Sequence, residues 1–222
     1  MESFFETDKK IEREVCGFLD ENLYTDSDIF SSYIRIDSKK EQFLGCDVLL
    51  TTIDNKLNCS IVDEKVAARY ANSDLNTFAL EISFIDKQGD EKDGWFIDKE
   101  KKNQYYLFGW ITASMIPFDN KKWRFQTEFL TKENICSIDW ALISKDKIFT
   151  FLGERGWTLE KIKEQAKRIR KRGYIITNDY VDGITYRYTK GLAEKPINLL
   201  MLKKTYFDLA EYNGTITNKK LS

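Results

Sequence analysis

The 222-residue chain is 42% hydrophobic and 32% charged, with two prolines and a net charge of −1, which excludes disordered and collagen-like classes and suits an ordered globular protein. It has no histidine, which removes Ser-His and Cys-His catalysis, histidine-dependent nucleases and most zinc chemistry. Cys16, Cys46, Cys59 and Cys136 lack CxxC spacing and read as buried free thiols, and no glycine pattern matches a Walker loop or a dinucleotide fingerprint.

In chain order, Ser3-Phe4-Phe5-Glu6 fits a capping box, and Ile11, Val15, Phe18 and Leu19 recur at helical spacing, so a helix is predicted from about Ser3 to Leu23. Glu14 falls on the margin of its apolar face, whereas Glu12 and Arg13 point away. A carboxylate so placed is either a boundary residue reaching water or a ligand turned inward. Tyr33 to Asp37 alternates like a short strand. Cys46–Ile53 and Cys59–Ala68 are β-rich runs around the turn Ile53-Asp54-Asn55-Lys56, which predicts an antiparallel hairpin. On its second strand the period of two puts Asp63 and Lys65 on one face and Glu64 on the other.

Phe78–Ile85, Trp95–Ile97 and Tyr105–Ala113 are predicted strands. The aromatic run Gln104–Trp110 reads mostly as core, with one or two rings free to stack on bases if exposed. Ile138–Ser144 is a further strand. Thr158 then caps a predicted helix with the stripe Leu159, Ile162, Ala166 and Ile169, ended by Gly173. Its other faces carry Lys161, Lys163, Lys167, Arg168, Arg170, Lys171 and Arg172 against Glu160 and Glu164. Such one-sided charge is either a solvated face or a backbone-phosphate contact, and Lys163, Lys167, Arg168, Arg170 and Lys171 are the candidate nucleic-acid-binding residues. Tyr174–Thr177 and Ile184–Thr189 suggest a hairpin around Asp182-Gly183, Ile197–Leu202 a strand, Thr205–Tyr212 a terminal helix and Asn213–Ser222 a frayed tail.

Charge is unevenly divided: residues 1–64 hold 15 acidic and 7 basic residues, residues 65–222 hold 21 and 28. An acidic part could hold cations and a basic part could meet phosphates. Acid-x-lysine triplets recur at Asp8, Asp37, Asp54, Asp90, Glu100 and Asp119, mostly in turns or at helix ends, but Asp63 interrupts an apolar strand between Ile61-Val62 and Val66-Ala67-Ala68. Burying Asp63, Lys65 and Asp47 together is costly unless they pair or bind a metal.

An N-terminal helix with an inward-facing glutamate, Asp47 opening a strand and Asp63-Glu64-Lys65 on the next resembles the PD-(D/E)XK nuclease superfamily, with Cys46 in place of the proline that names the motif. The resemblance covers about residues 3–113. It implies an α/β fold with a mixed central sheet flanked by helices, a restriction-endonuclease-like core over 1–145, and a C-terminal α+β extension over 146–222. It implies Asp47, Asp63 and Lys65 as catalytic residues. Asp47, Asp63 and Glu14 would hold Mg2+, or Mn2+, to hydrolyse phosphodiesters in nucleic acid, with DNA the expected substrate. A homodimer is compatible with this reading. The competing reading is a non-catalytic nucleic-acid- or protein-binding module that retains the fold, and a third is a structural or protein-interaction module. No apolar run approaches the ~18 residues of a membrane span, and the acidic start lacks a signal peptide's basic and apolar regions, so a cytoplasmic location without a membrane partner is expected.

Overall fold

The structure, a computed structural model, describes residues 4–120, 124–175, 180–181 and 183–220. In chain order the elements are α1 (Phe4–Leu19), a π-helical turn (Asp20–Tyr24), β1 (Phe30–Arg35), α2 (Lys39–Phe43), β2 (Val48–Thr52), β3 (Ser60–Val66), a 3-10 turn (Ala68–Tyr70), β4 (Thr77–Ile85), β5 (Glu91–Asp93) and β6 (Tyr105–Ala113). There follow β7 (Phe118–Asp119), β8 (Arg124–Phe125), a second 3-10 turn (Thr127–Phe129), β9 (Ile135–Ser144), α3 (Lys145–Glu154) and α4 (Leu159–Arg172). The last elements are β10 (Tyr180–Val181), β11 (Ile184–Tyr188), β12 (Ile197–Leu202), α5 (Lys203–Leu209) and β13 (Tyr212–Thr217).

The protein is mixed α/β and divides into two compact units, neither continuous in sequence. The first is built from the chain up to Leu75, from Asn103–Ile143 and from Ala210 onward; the second from Asn76–Lys102 and Ser144–Leu209. The expected 145/146 boundary falls beside the Ile143/Ser144 crossing, while Asn76–Lys102 joins the later unit and the end of the chain returns to the first.

The first unit holds a six-stranded sheet in the order β1-β2-β3-β6-β9-β13. β1, β2 and β3 form an antiparallel meander, and β6 lies parallel to β3 with Asp63 beside Tyr106 and Lys65 beside Phe108. A parallel neighbour requires a crossover, here the whole stretch between Val66 and Tyr105. The helical spacing read in the sequence works as expected: Ile11, Val15, Phe18 and Leu19 of α1 are buried with Val48, Leu50, Val62, Leu107 and Ile111 of the sheet. Each fully buried side chain of this size contributes roughly 1.5–3 kcal/mol. The capping box begins at Ser3, outside the described residues, and the predicted helix passes at Asp20 into the π-helical turn, closed by Thr25 N donating to Asp20 O.

Two expectations fail in this unit. The residues expected to fray instead form β13, paired antiparallel with β9 from Tyr212↔Leu142 to Thr217↔Ser137. The strand is tied down by Asn218, 4% exposed, whose Nδ2 donates to Lys132 O, Glu133 O and Ile135 O. The cysteines are all free, but Cys59 is exposed in the β2–β3 turn, at φ 50°, rather than buried.

The second unit holds an antiparallel sheet in the order β10-β11-β12-β4-β5, with Leu199 opposite Leu80 and Met201 opposite Phe78. Trp95-Phe96-Ile97 is a turn instead of a strand. Gly94 N donates to Ile82 O, and a Cβ at Gly94 would sit 2.4 Å from Glu81 O, so only glycine lets the chain fold back onto β4. Phe96 is buried and stacked on Phe149 of α3 at 4.7 Å, satisfying the apolar pattern without strand pairing. Thr158 caps α4, Gly173 ends it at φ 80°, and Ile162, Ala166 and Ile169 are buried as the spacing predicts. The terminal helix is α5, shorter than expected. Part of the predicted Tyr174–Thr177 strand lies outside the described residues; β10 pairs with β11.

Candidate active site

β2 and β3 bring the sequence-selected acids together because β2 begins where β3 is ending. Asp47 sits just before β2; its N donates to Val62 O at 3.0 Å, and its carbonyl accepts from Ile36 N at 2.9 Å. Its Oδ2 accepts from Glu64 N at 2.8 Å. Asp63, one residue earlier on β3, is 1% exposed and close enough for its charge to act on the Asp47 carboxyl. Lys65 Nζ, on the same face, forms an ion pair with Asp63 Oδ1. The Lys65 side chain is 25% exposed and Asp47 is half-buried, so the cluster reaches the surface through them.

Burial, then the charge of Asp63, pushes the Asp47 carboxyl up to about 8. Burial alone would pull Lys65 down, but Asp63 and Asp47 outweigh it and hold the ammonium above its ordinary value. Asp63 Oδ2 is buried without a hydrogen-bond partner. An orphaned carboxylate oxygen facing a second carboxyl is an unfavourable arrangement for a protein alone and a suitable one for a hard cation, which takes oxygen donors. The residues present therefore fit a divalent cation held by Asp47 and Asp63. Among the described residues no three carboxylates or thiols converge as a complete metal cage, so remaining ligands would come from water and substrate.

Glu14 does not join this cluster. Its Oε2 accepts from Lys132 N at 2.9 Å, tying α1 to the turn before β9. The helix acid on the Lys65 side is Glu12, an exposed residue whose carboxyl is raised by burial of its oxygens and drawn back down by Lys65. Helical spacing turns Glu12 outward from the core, yet it is near enough to Lys65 to feel its charge.

Glu64, on the opposite face of β3, is fully engaged. Tyr24 Oη donates to its Oε1 at 2.6 Å, the Arg35 guanidinium pairs with its Oε2, and Cys16 Sγ lies 3.6 Å away. Arg35 also pairs with Asp20. Burial is the largest influence on Arg35 and would lower it; Glu64 and Asp20 outweigh it and the guanidinium stays charged. Burial and Glu64 together push the Cys16 thiol and the Tyr24 phenol up, so both remain protonated donors.

In the second unit three of the five candidate cations of the basic helix are engaged in ion pairs. Lys163 pairs with Asp93, Arg168 with Glu164, and Arg170 with Glu91 while also donating to Ser83 Oγ and Lys195 O. Lys167 and Lys171 are exposed and without an ion pair among the described residues. A cleft of about 300 Å³ beside the helix mixes both signs, with Lys92, Lys163 and Lys167 facing Glu91 and Asp93. Most of the aromatic run is core, with Tyr106, Leu107, Phe108 and Trp110 buried and Tyr105 half-buried. No helix among the described residues is long and apolar enough to cross a membrane.

No protein-family model, no curated protein and no solved structure matches the chain.

Proposed function

We propose that the chain is a divalent-cation-dependent nuclease of PD-(D/E)XK type, hydrolysing phosphodiester bonds, with DNA the favoured substrate. The carrying observation is the juxtaposition of Asp47, Asp63 and Lys65 with an unsatisfied buried Asp63 oxygen. Support also comes from the order of elements: an N-terminal helix, an antiparallel meander bearing the acids, then a strand parallel to the one carrying Lys65. Asp47 and Asp63 would hold Mg2+ or Mn2+. When bound, the cation supplies Lewis acidity toward a phosphate oxygen and a more acidic water. Lys65, already oriented by Asp63, would turn its ammonium to the scissile phosphate and stabilise charge developing there. Glu64 faces away from this chemistry and holds the strand.

The alternative is a non-catalytic nucleic-acid- or protein-binding module, favoured by the ion pair between Lys65 and Asp63, which can be read as purely structural. Incubating the protein with supercoiled, linear and single-stranded DNA and with RNA, plus Mg2+ or Mn2+, separates the readings. Metal-dependent cleavage by wild type, lost in Asp63→Ala and Lys65→Ala, is the expected result. Equal nicking by wild type and both variants marks a contaminant and ends the catalytic assignment.

A further inference from the structure

Three strands meet at Asp47. Its backbone carbonyl is held by Ile36 N just after β1, its own N–H by Val62 O on β3, and its carboxylate Oδ2 by Glu64 N on β3. β1 and β3 are not neighbours, since β2 runs between them. Arg35 nevertheless reaches from the end of β1, where it pairs across with Val48, over β2 to Glu64 on β3. The two strands whose amides hold Asp47 are thus stapled to each other by a buried ion pair, and the staple residues are chain neighbours of the holding groups: Arg35 precedes Ile36, and Glu64 supplies both the side chain and the N–H.

The staple is itself braced. Arg35 pairs with Asp20 and Glu64 accepts from Tyr24, the two ends of the π-helical turn that closes α1. Single π-turns recur where a fold must aim side chains at a functional site. The core cluster of this unit includes Val15, Phe18, Phe30 and Val62, and hydrophobic residues of similar volume often serve stability as well as or better than an ion pair set against such a core.

We propose that Arg35 and Glu64 are positioning residues, whose ion pair across β2 fixes the Asp47 carboxylate in the orientation that binds the divalent cation. The inference rests on the nuclease reading and deepens it. Outer-shell groups that orient metal ligands typically change metal affinity by about 10–100-fold when removed. The test is direct Mn2+ binding by isothermal titration, without nucleic acid, for wild type, Arg35→Met, the milder Glu64→Gln, and Val15→Ala as a control that loosens the same apolar face. Urea unfolding run alongside confirms that each protein is folded under the binding conditions. We expect Arg35→Met and Glu64→Gln to bind Mn2+ roughly 10-fold or more weakly and Val15→Ala to match wild type within about twofold. Wild-type affinity in both staple variants overturns the positioning role and leaves the nuclease reading standing. Equal weakening in Val15→Ala also overturns it, by showing that loss of packing suffices. Failure of the wild type to bind Mn2+ overturns both.

Discussion

The two faces of β3 carry adjacent buried charges that the fold treats in opposite ways. Glu64 has a phenol, a guanidinium and a thiol around its oxygens; Asp63 has one ammonium, an unpartnered oxygen and a second carboxyl beside it. A folded chain ordinarily satisfies its buried polar groups, and one face shows that this chain can do so at this depth. The unsatisfied face is therefore informative. On the proposed reading it is where a cation would complete the arrangement, while the satisfied face holds the strand still. The contrast predicts that damage to the first face costs chemistry with little loss of stability, and that damage to the second costs stability first and reaches the cation site only through the positioning of Asp47.

Asp63→Asn tests this with the largest expected effect. Cleavage should fall about 10³-fold or more, because a neutral amide removes a cation ligand and the anchor of Lys65. Thermal stability should change little, because Lys65 retains Asp47 as a counter-charge and reaches solvent, and the repulsion between the two carboxylates is gone. Glu64→Ala should do the reverse at the level of folding. Arg35 would be left with Asp20 alone in a mostly buried site, at a cost of about 3–5 kcal/mol readable in urea unfolding. Should Asp63→Asn unfold the protein while Glu64→Ala is silent, the assignment of the two faces is inverted.

A pH measurement sharpens the same contrast. Asp47 is raised in the folded protein, to about 8, so between the ordinary aspartate range and that value the folded chain holds a proton that the unfolded chain has released. Its contribution to stability is present at low pH and lost as pH rises through about 8. In EDTA the Tm of wild type should therefore fall, relative to Asp47→Asn, between about pH 5 and about pH 8, and Mg2+ should reduce the fall by favouring the ionised pair. Parallel profiles for the two proteins would show that Asp47 titrates normally.

How much of this was legible depended on whether a period or a distant partner decided the outcome. The alternation of a strand placed Asp63 and Lys65 together and Glu64 opposite, and the α4 stripe was equally plain, because both follow from local geometry. Glu14 has as its partner the backbone of Lys132, 118 residues on, and no periodicity reports that. Glu12 reads as pointing away from the core, and nothing in the period reports that Lys65 is near enough to act on its charge. On the basic helix, the counter-charges of Lys163 and Arg170 were not legible because Asp93 and Glu91 lie on a strand 70 residues or more earlier. β13 resembled a tail because a lone edge strand has little sequence signal until its partner is known.

The smallest expected effects separate the donors around Glu64. Tyr24 Oη is 2.6 Å from a carboxylate that also pairs with Arg35, and a charge-assisted hydrogen bond is worth about 1.5–3 kcal/mol, so Tyr24→Phe should cost that much. Cys16 offers a weak S–H donor at 3.6 Å with its thiol firmly protonated, so Cys16→Ala should cost less than about 1 kcal/mol. The ordering matters more than either value. Both side chains come from the same helical segment and touch the same carboxylate, so a network held by charge-assisted bonding must rank the phenol well above the thiol. Equal costs in chemical denaturation would mean that packing of α1 against β3 holds Glu64, and that its ion pair with Arg35 is incidental to the order of the strand.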